Sequence, residues 1–141
     1  MKNIVSIDPG RDKCGLILAN IETFSVVEGR VALRSNVLST IRAWEKLSPI
    51  ELIVLGNGTT SLNLQKDLCE LAPIKVVAEK GTTMRARYRY WEIWPPGFFL
   101  RFFSKSIIFP PKNLDAIAAL IILEDYLGTK LNWEGSYKIK I

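Results

Sequence analysis

The sequence predicts an α/β fold, a mixed five-stranded sheet ordered β-β-β-α-β-α-β-α and flanked by helices. Three observations predict it. The first 33 residues read as three extended runs joined by short polar turns. Two later runs, Leu52–Leu55 and Ile74–Ala78, each follow a segment with apolar residues at helical spacing. The apolar stretch Ala116 to Leu123 then reads as a buried closing helix. A meander followed by βα units gives a sheet with both antiparallel and parallel strands and helices on its faces.

Residues 3–8 and 14–21 read as strands joined by the turn formers Pro9-Gly10-Arg11-Asp12-Lys13. Residues 24–33 read as a third strand, with a bulge expected at Gly29. Ser35 suits a helix N-cap, and Val37, Leu38, Ile41, Trp44 and Leu47 fall at helical spacing before Pro49 ends the segment. Leu52–Leu55 is continuously apolar, as a buried parallel strand should be. A helix with Leu64, Leu68 and Leu71 on one stripe then stops at Pro73, and residues 74–79 form the fifth strand. Thr82 or Thr83 is expected to cap a helix reaching about Trp94, with Met84, Tyr88 and Trp91 as its core stripe. Pro95-Pro96 ends it. The last helix, about 113–127, closes at Gly128, and the tail from Trp133 to Ile141 reads as a small edge strand or an open end. Residues 95–112 carry four prolines and the cluster Phe98-Phe99-Leu100-Arg101-Phe102-Phe103. That stretch reads as a flap, and its phenylalanines as extra core, a homodimer contact, or a wedge into nucleic acid.

A length of 141 residues suits one domain, spanning 1–141. The net charge of +5 favours an anionic partner such as nucleic acid. Histidine is absent, which excludes Ser-His-Asp and Cys-His chemistry and HExxH zinc sites. The two cysteines, Cys14 and Cys69, supply no disulfide framework. The start, Met1-Lys2-Asn3, runs straight into a strand, so neither a signal peptide nor a membrane span is expected and a cytoplasmic location is.

Carboxylates and metals are then the simplest catalytic equipment. Asp8 ends the first strand, Glu79 ends the fifth, and Asp115 opens the last helix. Taken singly, each has a structural explanation as a turn residue, a solvated strand end or a helix-dipole partner. Together they are more specific. Sites in crossover sheets form at the carboxyl ends of parallel strands. Ala116, Ala118 and Ala119 are small enough to bring the last helix close to the sheet. Three converging carboxylates would repel unless cations sat between them, and carboxylate oxygen suits Mg²⁺ or Mn²⁺.

Ile7-Asp8-Pro9-Gly10 with Cys14-Gly15, then Glu79-Lys80-Gly81-Thr82-Thr83, then Leu114-Asp115-Ala116-Ile117-Ala118-Ala119 through Leu127, resembles the YqgF/RuvX family over about residues 3–127. That family consists of RuvC-like, RNase H-fold nucleases, described as Holliday-junction-resolvase-like and as pre-16S rRNA processing enzymes. The resemblance implies an RNase H-like fold in which Asp8, Glu79 and Asp115 are catalytic and bind two divalent metals. It further implies cleavage leaving 5′-phosphate and 3′-hydroxyl ends. RuvC-type resolvases usually add an acid one helical turn before the last, where this chain has Lys112. Ala78 stands where an acid often precedes the Glu, and Gly56-Asn57-Gly58-Thr59 looks more like the YqgF-like domain of the transcription accessory protein Tex.

The substrate surface should be basic. Gly10 would keep the first turn small, and Asn57 and Thr59 belong to a loop whose amides could meet a phosphate. Lys13, Lys80, Arg85, Arg89 and Lys112 complete the expected nucleic-acid contacts, although Arg85 and Arg89 could equally solvate their helix and pair with Glu92. RNA and branched DNA are both open as substrates. Two other classes compete: a non-catalytic YqgF-like binding module, and an actin/Hsp70-like phosphotransferase fragment, for which the chain is too short.

Overall fold

The computed structural model describes residues 2–58, 60–79, 81–95, 114–134 and 139. Thr59, Lys80, Lys112 and the Phe98–Phe103 cluster lie outside them. The strands are β1 (Asn3–Asp8), β2 (Lys13–Asn20), β3 (Ser25–Leu33), β4 (Ile50–Gly56) and β5 (Ile74–Val77). The helices are α1 (Val37–Leu47), α2 (Ser61–Leu68), α3 (Thr82–Ile93) and α4 (Asp115–Leu127). The sheet order is β3-β2-β1-β4-β5. The first three strands pair antiparallel, and β1, β4 and β5 run parallel.

Strand alternation splits the core into two layers. Val5 and Ile7 of β1, Leu16 of β2, and Ile53 and Leu55 of β4 face α1 and α2. Ile4, Ile17 and Val54 point the other way, against α3, α4 and Trp133. α4 is buried along most of its length because Ala116, Ala118 and Ala119 let it lie close on the sheet. The hydroxyl of Ser6 donates to the Ala119 carbonyl at 2.7 Å, which fixes the helix over β1. Among the described residues no helix is long and apolar enough to cross a membrane.

Several boundaries differ from expectation, each for a local reason. β4 stands between β1 and β5, so the first and fifth strands are not neighbours. β5 ends at Val77, two residues before Glu79. The β3 irregularity falls where Leu18 pairs with Glu28 but Ala19 pairs with Val26, leaving Val27 over; Gly29 stays in register and lies under the Trp133 ring. Ser35 sits in a 3-10 turn, Arg34–Asn36, and α1 starts from Asn36 without a side-chain cap. No threonine caps α3, whose N-cap is Gly81. Its buried stripe is Ala86, Tyr90 and Trp91, whereas Met84 and Tyr88 are 49% and 42% exposed. The large rings of Tyr90 and Trp91 meet edge-on at 5.0 Å and select that face.

Candidate active site at the carboxyl end of the first strand

Asp8 closes β1, with the strands on either side offering it no side chain. Its register partner on β2 is Gly15. On the other flank Ile7 pairs with Leu55, and Gly56 is the next residue of β4. Both glycines are required by close approach. A Cβ on Gly15 would overlap the Asp115 carbonyl and stand 2.8 Å from the Ala116 nitrogen. The first turn of α4 therefore rests directly on β2, beside Asp8. A Cβ on Gly56 would overlap Glu79 Oε1 and stand 2.9 Å from Ile122 Cδ1. Glu79 thus reaches across the end of β4, which is how it meets Asp8 although β5 is one strand too far away.

The electrostatics follow from that placement. Asp8 is pushed up to about 7, first by burial, then by the charges of Glu79 and Asp115, and last by a hydrogen bond with Glu79. The second Glu79 oxygen, Oε1, is buried and accepts no hydrogen bond. Asp115 acts on Asp8 through charge. Among the described residues no group of three His, Cys, Asp or Glu side chains is placed to hold a metal ion, and Asp8, Glu79 and Asp115 are not such a group in this arrangement. Glu79 and Asp115 act on Asp8 by charge, one Glu79 oxygen is buried without a donor among the described residues, and carboxylate oxygen is the donor type that a hard divalent cation takes.

The hairpin beside Asp8 is clasped to the loop after β4. The Thr60 hydroxyl donates to the Gly10 carbonyl at 3.2 Å, and Gly58 packs on Pro9. The Asn57 amide donates to the Val77 carbonyl at 2.9 Å, tying the same loop to the end of β5, and the Asn57 residue is exposed. Lys13 is exposed at the start of β2. Cys14 lies next to it, and burial pushes its thiol up.

The α3 arginines are engaged by acids of α3 and α4. Arg85 donates two bonds to Asp125, at 2.8 and 2.6 Å, and holds that carboxyl below the usual range. Arg89 donates to both oxygens of Glu124 at 3.0 and 2.8 Å, to Glu92 at 3.3 Å and to the Leu131 carbonyl at 2.8 Å. Glu124 also accepts the Leu131 amide at 2.7 Å. The cavity of about 580 Å³ ringed by these pairs lies toward the end of α4 opposite Asp115. Ten helical residues separate Asp115 from Asp125, roughly 15 Å of axis. Sequence reasoning missed Glu124 and Asp125 as partners, because they stand 35 and 40 residues beyond the arginines they hold.

No family model matches the sequence, and no curated protein does. Solved structures do resemble the fold. T. thermophilus RuvC in complex with a Holliday junction substrate is 13% identical, with a TM-score of 0.52 over 93% of this chain and 99% of that one. Fowlpox virus resolvase, solved with Holliday junction DNA, is 12% identical, with a TM-score of 0.53 over 89% of this chain and 99% of that one. The chain has the RNase H-like fold expected from its motifs.

Proposed function

We propose that this protein is a divalent-metal-dependent endonuclease acting on branched DNA. The observation that carries the reading is the meeting of Asp8, Glu79 and Asp115 at the carboxyl edge of β1, with charge crowding that lifts Asp8 to about 7. Carboxylates perturbed by burial and by one another mark functional sites. The choice of branched DNA is supported by the two Holliday junction complexes on the same fold.

Asp8, Glu79 and Asp115 would hold Mg²⁺ or Mn²⁺. When bound, such ions polarise a phosphoryl oxygen and make a hydroxide-like nucleophile available near neutral pH. The chain's own contribution is placement. Gly15 and Gly56 let Asp115 and Glu79 come close to Asp8 from either side. The Ser6 bond to Ala119 and the seat of α4 on β2 hold Asp115 in place. The loop clasped to Gly10 borders the site and leaves Asn57 exposed to an approaching strand. The narrower reading, a YqgF/RuvX-type nuclease with an rRNA precursor as target, rests on the sequence motifs and on three acids with Lys112 in place of a fourth.

The test is cleavage of a labelled four-way junction, a linear duplex and a structured RNA in Mg²⁺ or Mn²⁺. Asp8→Asn, Glu79→Gln and Asp115→Asn should each remove cleavage of the junction while leaving binding intact. Cutting by the Asp8→Asn protein at the rate of the parent would refute the assignment. Binding without cleavage by the unaltered chain would favour the non-catalytic module.

A further inference from the structure

A second polar groove, of about 500 Å³, runs along β3 against the first turn of α1. Lys13, Arg30, Asn36, Ser39 and Thr40 supply its polar lining, and no acidic residue lines it. The α3–α4 groove is the reverse: its arginines face Glu92, Glu124 and Asp125. The two differ in what they leave for a ligand. Arg89 is spent on four bonds within the protein. In the β3 groove Arg30 is held by Glu28 at 3.1 Å, but Lys13 is exposed and has no ion pair among the described residues. The hydroxyls of Ser39 and Thr40 both donate to the Asn36 carbonyl, at 3.0 and 2.8 Å. Those bonds fix the Asn36 backbone, and the exposed Asn36 side chain makes no capping bond to α1.

The groove is continuous with the acid site through β2. Lys13 is two residues before Gly15, the register partner of Asp8. It lines the groove from the start of β2, at the end of the sheet that carries Asp8. Two strand residues span roughly 7 Å, about two nucleotide steps at roughly 3.4 Å of axial rise per nucleotide. A strand whose scissile phosphate sat over Asp8 would bring a nearby phosphate past Lys13 and into the groove.

We infer that the groove between β3 and α1 is a phosphodiester-backbone site, in which Lys13 and Asn36 hold a DNA arm a short distance from the bond that is cut. This rests on the nuclease reading for its choice of DNA and deepens it: the flanking duplex leaves the site toward β3, not along α3. Contacts of this kind fix register and are blind to sequence.

The experiment measures binding without cleavage. Asp8→Asn protein in chelator is titrated against a fluorescent four-way junction and a linear duplex at several salt concentrations. Adding Lys13→Ala or Asn36→Ala should weaken binding of both DNAs by about 3- to 10-fold, and Lys13→Ala should lower the salt slope by about 0.9. Lys46→Ala, which removes one exposed charge elsewhere on α1, should change neither. Unchanged affinity and slope in both groove variants would overturn the inference, as would an equal loss in Lys46→Ala. The same substitutions are made in the chain that keeps Asp8. Normal binding by the groove variants of a protein that cuts the junction removes the groove alone. Weakened binding in a protein that never cuts keeps the groove and removes the nuclease.

Discussion

Replacing Asp8 by Asn should make the metal-free protein more stable at pH 8. An acid whose folded pKa is raised holds its proton in the native state where the unfolded chain has already released it. Stability is then highest below the unfolded value and falls as pH rises. For Asp8 the window runs from 3.8 to about 7. Above it the full repulsion is present. Three pKa units correspond to roughly 4 kcal/mol at about 1.36 kcal/mol each. Asp8 is only partly buried, so solvent screening reduces the penalty to about 1–3 kcal/mol. For a domain of this size that is roughly 4–10 °C in Tm. The assay is calorimetry in chelator from about pH 4 to 9. The parent should lose stability toward pH 8 relative to Asp8→Asn, and the two curves should converge near pH 4. Adding Mg²⁺ at ten times its dissociation constant should return about 1.4 kcal/mol to the parent and much less to the variant. A parent protein that parallels Asp8→Asn across the pH range, or an equal Mg²⁺ response in both, would refute the crowded-acid account.

The other outcomes follow from named contacts. Gly56→Ala puts a methyl into Glu79 Oε1; it should cost about 1–3 kcal/mol in urea unfolding and abolish the Mg²⁺-induced rise in Tm. Gly15→Ala meets backbone at Asp115, which cannot swing aside, so its loss should exceed that of Gly56→Ala in the same titration. Arg89→Met strands the buried Glu124, which is 8% exposed; a loss of about 3–5 kcal/mol is expected, and a loss under 1 kcal/mol would contradict the network. Arg85 and Asp125 are about half exposed, so Arg85→Ala should cost about 1 kcal/mol or less and leave the salt slope of DNA binding unchanged.

Much of the fold was legible because it is written in local periods. The strands at 3–8 and 52–55 and the helix opening at Asp115 follow from apolar runs and their bounding residues. The three acids were legible as a conjunction, since each sits where one element hands over to the next. The means of their meeting was not. Sequence patterns do not say that β4 intervenes between β1 and β5, so the role of Gly56 as a gap for Glu79 emerges only from the packing. The arginines of α3 illustrate the same limit. Their spacing shows that they share a face but carries no sign of Glu124 and Asp125 beyond the next connection. Met84 and Tyr88 have core chemistry and helical spacing, yet the adjacent pair Tyr90 and Trp91 took the buried stripe. When two stripes compete on one helix, the larger buried area wins.

The site and its support divide the work along the sheet. Away from the acids, nearly every charge on α3 and α4 is matched: Arg85 with Asp125, Arg89 with Glu124, and Lys130 with Glu92 at 2.9 Å. At the carboxyl end of β1 the pattern reverses, and two acids press on a third while a buried oxygen goes without a donor. Two glycines let Asp115 and Glu79 close in on either side of Asp8, and the helix bearing Asp115 is fastened by Ser6 from below. A cation from solution could relieve this crowding, so stability and metal response should be set by the same residues. Asp115→Asn should therefore lower the pH at which the loss of stability is complete, and make that loss smaller, because Asp8 then has one charge fewer to oppose. A pH profile identical to the parent's would mean that Asp115 does not sense Asp8.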